Sequence, residues 1–112
     1  MLLTILCTFR PGAYENAKQL RLEHYAFLRE MKQTIVEGGP LFGPDGSPTG
    51  MLMVVESESI EAAGDFIASE PYNANGFFES VAIRCWSHVI PELHPGYIDE
   101  EYDKERASRA HP

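Results

Sequence analysis

Apolar and polar positions along this chain switch between two periods. Residues 1–9 form a near-continuous apolar run with β-branched members, the pattern of a strand buried on both faces. Arg10-Pro11-Gly12 breaks the run. A helical pattern follows, with Asn16 as N-cap and Gln19 three residues later as a weak capping box. Ala17, Leu20, Phe27, Leu28, Met31 and Ile35 share its apolar arc, and the helix is expected to end at Gly38-Gly39. Residues 40–42 predict a short second strand, 43–50 a turn-rich connection and 51–56 a third strand. Ser59 is placed to cap a second helix whose apolar face is Ile60, Ala63, Phe66 and Ile67, with Pro71 ending it. Residues 72–76 read as a turn or a single helical turn, and 79–89 as the last strand.

The order β-α-β-β-α-β predicts an α+β, ferredoxin-like fold: a four-stranded antiparallel sheet with two helices on one face. Two helices cover one face, yet the strands are apolar on both. Leu2 and Leu6 oppose Leu3, Ile5 and Phe9, while Trp86 opposes Val81 and Ile83. An exposed apolar face of that size is unfavourable on a soluble monomer, so a homodimer with two sheets packed face to face is expected. The domain is expected over residues 1–90, followed by a charged extension over 91–112. There, Glu100 with Lys104 and Glu105 with Arg109 are i,i+4 pairs that favour a short helix. It is either an arm laid on a partner subunit through Ile98 and Tyr102 or a solvated tail.

A length of 112 residues fits one domain, and a net charge of −8 repels phosphate backbones, so no nucleic-acid role is expected. No apolar run is long enough to span a bilayer, and the apolar start lacks the basic flank of a signal peptide. A cytoplasmic protein without membrane partners is the expectation. Cys7 and Cys85 lie in apolar runs and read as two buried thiols of a reducing compartment, the alternative being a redox pair. His88, His94 and His111 show no metal-ligand spacing, the Asp45-Gly46 loop lacks the oxygen ligands of a calcium loop, and Gly43 to Gly50 lacks the lysine of a phosphate loop.

Candidate chemistry sits on the helices. His24 falls near the middle of the first helix's apolar arc, where an imidazole costs stability unless its nitrogens find partners. A satisfied core histidine explains it, but Arg21 one turn earlier on the edge of the same face invites an anionic group nearby. Extending the second helix's arc by one turn reaches Glu70, a carboxylate pointing inward at a helix C-terminus, where the dipole disfavours it. Two helices on one sheet face, each aiming an ionisable group inward, can form a His–carboxylate pair. The carboxylate then fixes the ring tautomer and leaves the other nitrogen as a general base.

Arg21-Leu22-Glu23-His24-Tyr25-Ala26-Phe27-Leu28, then Gly39-Pro40-Leu41, the loop from Asp45-Gly46 to Gly50, and Glu70-Pro71-Tyr72 followed by Gly76-Phe77-Phe78-Glu79 resemble the YCII-related family. Val81-Ala82-Ile83-Arg84-Cys85-Trp86 looks like that family's last strand. The resemblance covers roughly residues 1–90 and implies a dimeric ferredoxin-like α/β barrel with a cleft built around a His–Asp pair. His24 matches the family histidine, whereas the family's Asp-Pro-Tyr reads Glu70-Pro71-Tyr72 here. That change keeps the charge and adds one methylene, about 1.5 Å of reach. Catalytic groups are held to within ~0.5 Å, so the swap bears on any inherited activity. Family members linked with acid–base chemistry on aromatic rings include lyase-type dehalogenases.

The combined expectation is a small cofactor-independent enzyme, of lyase or hydrolase type, acting on a small aromatic or anionic molecule. His24 and Glu70 are the expected catalytic pair; Arg21, Arg10 and Tyr72 the expected substrate-binding residues; no cofactor and no metal is expected. Arg10 and Arg84 also read as surface or interface ion-pair partners. The competing classes are a non-catalytic dimeric module that binds a small ligand in the same cleft, and an assembly protein whose role is its dimer face.

Overall fold

The first strand, β1 (Leu2–Phe9), buries Leu3, Ile5, Cys7 and Phe9 on one face and turns Leu2, Thr4, Leu6 and Thr8 to the other. The structure, a computed structural model, describes residues 1–110. Arg10 to Ala13 make a β-turn closed by Ala13 N–H donating to the Arg10 carbonyl, with Pro11 second and Gly12 at φ 73° third. That is the residue pair a type II turn requires. A continuous right-handed stretch follows: α1 (Tyr14–Ala17), a 3-10 turn (Lys18–Leu20) and α2 (Arg21–Met31). Asn16 lies inside α1, and the N-cap position is Ala13, whose side chain makes no capping bond.

The first helix therefore starts earlier and stops sooner than the apolar arc predicts. It ends at Met31, and Ile35, Gly38 and Gly39 belong to β2 (Ile35–Phe42). Thr34, Ile35 and Val36 are β-branched, and the ladder with β3 (Pro48–Glu56) outweighs a helical continuation. Both middle strands are longer than the sequence indicates. The connecting loop shrinks to a tight turn in which Asp45 accepts from the Ser47 backbone N–H and hydroxyl, at 3.0 and 2.7 Å. Gly50 sits where β3 meets β1, and any Cβ there would overlap the Cys7 carbonyl.

Ser59 caps α3 (Ile60–Ala68) as expected, accepting from Ala62 N–H at 3.0 Å. A one-turn helix α4 (Pro71–Ala74) and β4 (Phe78–Cys85) complete the domain. The last strand stops at Cys85, four residues short of the expected end: its register reaches Leu3, one more bond runs from Trp86 N–H to the Leu2 carbonyl at 3.1 Å, and β1 begins at Leu2.

The sheet order is β2-β3-β1-β4, all antiparallel, the ferredoxin-like arrangement. The implied barrel is not formed: β2 and β4 are free edges and the sheet is open. Four strands cannot curl far enough to meet, since a packed barrel takes about eight. On the helix side Ala63 and Ile67 of α3 join Leu3, Ile5, Met53 and Val55 in one core. On the opposite side Leu6, Leu41 and Leu52 are each more than a third exposed. Beyond Val89 the chain leaves the body. The helix α5 (Tyr97–Arg109) buries no residue, and the Cα radius of gyration of 17.8 Å exceeds the ~13 Å of a compact chain this long. In α5 Glu105 meets Arg109 at 3.1 Å, while Lys104 reaches Glu101 rather than Glu100. His111 lies outside the described residues. No helix among the described residues is long and apolar enough to cross a membrane.

Candidate active site

Glu70 is fully buried, the only charged residue in the described core. A buried carboxylate is costly unless its oxygens are satisfied. Here both are. Oε2 accepts from Asn73 N–H at 3.1 Å, and Oε1 lies 2.6 Å from His24 Nδ1. The sequence places Glu70 at the C-terminus of the second helix, but α3 has already ended at Ala68. Glu70 is instead the N-cap of α4, in extended backbone (φ −64°, ψ 129°), with Pro71 in the first helical position. The orphan amides at that end favour the negative charge instead of opposing it. Asn73 also ties the short helix down, its side-chain amide donating to the Ile67 carbonyl at 3.0 Å. The longer Glu side chain, in place of Asp, thus spans from a backbone cap to the imidazole.

His24 stands in the second turn of α2, mostly buried. Tyr72 of α4 stacks on its ring, centroids 4.4 Å apart and 17° from parallel, and Tyr25 meets it edge-on at 5.5 Å. With Nδ1 held by Glu70, Nε2 is the nitrogen left for other work. Tyr72 packs edge-on against Phe9 as well, and burial pushes its phenol up to about 12, so it stays protonated and can donate. Arg21 donates through Nη2 to the Tyr14 hydroxyl, and this contact holds its guanidinium further into the charged range.

These groups line a cavity of about 610 Å³ between α2 and the β2–β3 half of the sheet. The helix packs along α4 and stands off from β2 and β3, whose residues at this place are small or flexible: Gly38, Gly39, Gly50, Met51 and Met53. His24, Arg21 and Tyr72 are brought together there, as the sequence predicts. Arg10 is not. Its Nε donates to the Gly76 carbonyl at 3.0 Å, and it does not line the cavity. Arg84 is exposed and bonds only the Ile83 carbonyl among the described residues. Tyr14, Tyr25 and Lys32 line the cavity without having been singled out by sequence. The signal was present: Tyr14, Arg21, Leu28 and Lys32 recur at helical spacing along one edge of the His24 arc.

The two cysteines part company. Cys7 is buried, and burial together with the Glu70 charge pushes its thiol up to about 12; Cys85 is exposed, because β4 ends there, and the two are not bonded. Among the described residues no three His, Cys, Asp or Glu side chains are grouped to hold a metal ion.

Comparison with known proteins adds two findings. The YCII-related domain family is matched over residues 1–87. Among solved structures, the 5-chloro-2-hydroxyhydroquinone dehydrochlorinase from Burkholderia phenoliruptrix AC1100, in complex with 2,5-dihydroxybenzoquinone, superposes with a TM-score of 0.74 at 28% identity. The alignment covers 82% of this chain and 99% of that one. No curated protein matches the chain.

Proposed function

The chain belongs to the YCII-related domain family, and from that premise we propose that it is a cofactor-independent acid/base enzyme acting on a small aromatic or anionic molecule. The observation that carries the reading is the 2.6 Å contact between His24 Nδ1 and a fully buried Glu70, set in the wall of an open cavity. A histidine needed only for packing does not require a buried anion behind it and open space in front.

Glu70 accepts a hydrogen bond from Nδ1–H and so holds the ring with Nε2 unprotonated. Nε2 takes an acidic proton from the substrate, and the Glu70 charge stabilises the imidazolium that results. Arg21, with Tyr14 behind it, balances the oxyanion that develops on the substrate, and Tyr72 keeps the imidazole flat against its own ring. Apolar walls from Phe9, Met51 and Met53 suit a planar ring. The structural neighbour's chemistry, removal of HCl from a chlorinated hydroxyhydroquinone, is a reaction of lyase type that such a base can serve.

The test is chloride release from 5-chloro-2-hydroxyhydroquinone by the full chain. His24→Ala and Glu70→Gln should each lower turnover by about 10²- to 10⁴-fold, and Glu70→Asp should retain more activity than Glu70→Gln. A His24→Ala protein as active as the parent contradicts the reading, as does a parent no faster than buffer.

The open apolar face bearing Leu6, Leu41 and Leu52 supports a second proposal, that the partner of this chain is a second copy. Residues 91–112 would then be an extension to the catalytic domain rather than part of it. Sedimentation should give a dimer at micromolar concentration; a stable monomer contradicts this.

A further inference from the structure

The cavity has two ends. In the sheet, Leu41 pairs with Gly50 and Gly50 with Thr8, so Phe42 and Phe9 mark one end of the floor, while Ile35, paired with Val55, marks the other. Arg21, His24 and Tyr72 stand at the Phe9 end. Lys32, just after α2, stands at the Ile35 end and lines the same cavity. Eight residues separate it from His24, about 12 Å along a helix axis. A cavity of about 610 Å³ and this length exceeds what one six-membered ring fills.

The charge pattern is as informative as the size. The chain carries a net charge of −8, yet among the described residues the cavity is lined by Arg21 and Lys32 and by no aspartate or glutamate. Arg21 already donates to Tyr14, whereas Lys32 has no ion-pair partner among the described residues. A cation at each end of an apolar trough, in an otherwise acidic molecule, selects an elongated ligand with acidic oxygens at both ends.

We propose that the ligand is an aromatic acid longer than a single ring, with a phenolic or enolic oxygen at His24 and Arg21 and a carboxylate-bearing side chain reaching Lys32. This rests on the acid/base reading above and names its substrate class.

Calorimetric titration of the full chain with 4-hydroxycinnamate and with its neutral counterpart, 4-hydroxycinnamyl alcohol, tests it. The acid should bind about fivefold tighter than the alcohol, the gain expected of one exposed ion pair. Lys32→Met should bring the two affinities together, and Arg21→Gln should weaken both while keeping their ratio. Equal binding by the parent, a preference that survives Lys32→Met, or one that collapses only in Arg21→Gln overturns the assignment. So does failure of both compounds to bind. Chloride release from the single-ring 5-chloro-2-hydroxyhydroquinone needs only the His24 and Arg21 end of the cavity, so a turnover lost in His24→Ala beside a failed titration overturns the ligand class alone.

Discussion

Helices α2 and α3 lie on the same face of the same sheet and do opposite things. The shorter α3 presses Ala63 and Ile67 into the strands, and its first turn is capped by Ser59. The longer α2 buries only Phe27, against Phe66 of α3, and holds the rest of its inner face over a cavity. Each half of the βαββαβ chain contributes one helix, so the division is between a half that seals the core and a half that leaves room. The reactive pair bridges the two: His24 comes from the standing-off helix and Glu70 from the chain just past the packed one. A site placed there draws rigidity from α3 and access from α2.

Breaking the contrast should be easiest in the core. Ile67→Ala removes a nearly fully buried side chain, and a loss of about 2–5 kcal/mol in stability is expected. Leu28→Ala, on the cavity side, should cost roughly 1 kcal/mol, because that side chain already faces open space. Denaturant midpoints of the two variants check the order; equal losses would mean that α2 packs as tightly as α3.

A smaller effect sharpens the same comparison through pH. The folded chain raises the Cys7 thiol from 9.0, and the Tyr72 phenol from 10.0, each to about 12, in both cases chiefly through burial. Each group keeps its proton longer when folded than when unfolded. Their contribution to stability is therefore complete below about pH 9 and lost as the pH rises towards 12. Unfolding titrations from pH 8 to 11 should show a declining midpoint, with a shallower decline in Cys7→Ala. A flat profile would place neither group in the interior.

The order of elements, the ferredoxin-like topology and the meeting of His24 with Glu70 were legible in the sequence, because each rests on periodicity that local residues express directly. The extent of β2 was not. Met31 and Ile35 are four apart and fit a helix, and only the ladder with β3 decides against it. The barrel failed for a reason outside any residue pattern: a count of strands and their edges. Glu70 was found for an incomplete reason. The apolar arc pointed to it, but the Pro71 that reads as a stop is also a start, and the carboxylate belongs to the helix that follows. Lys32 and Tyr14 escaped notice because charge and aromaticity along the edge of an arc read as ordinary surface.

The central claim is that Glu70 fixes the imidazole so that Nε2 is the free base, and nitrogen-15 correlation spectra of His24 read this directly. At a pH where the ring is neutral, the proton should reside on Nδ1, and Glu70→Gln should shift it to Nε2. A neutral ring protonated on Nε2 in the parent chain, or spectra unchanged by Glu70→Gln, would contradict the account.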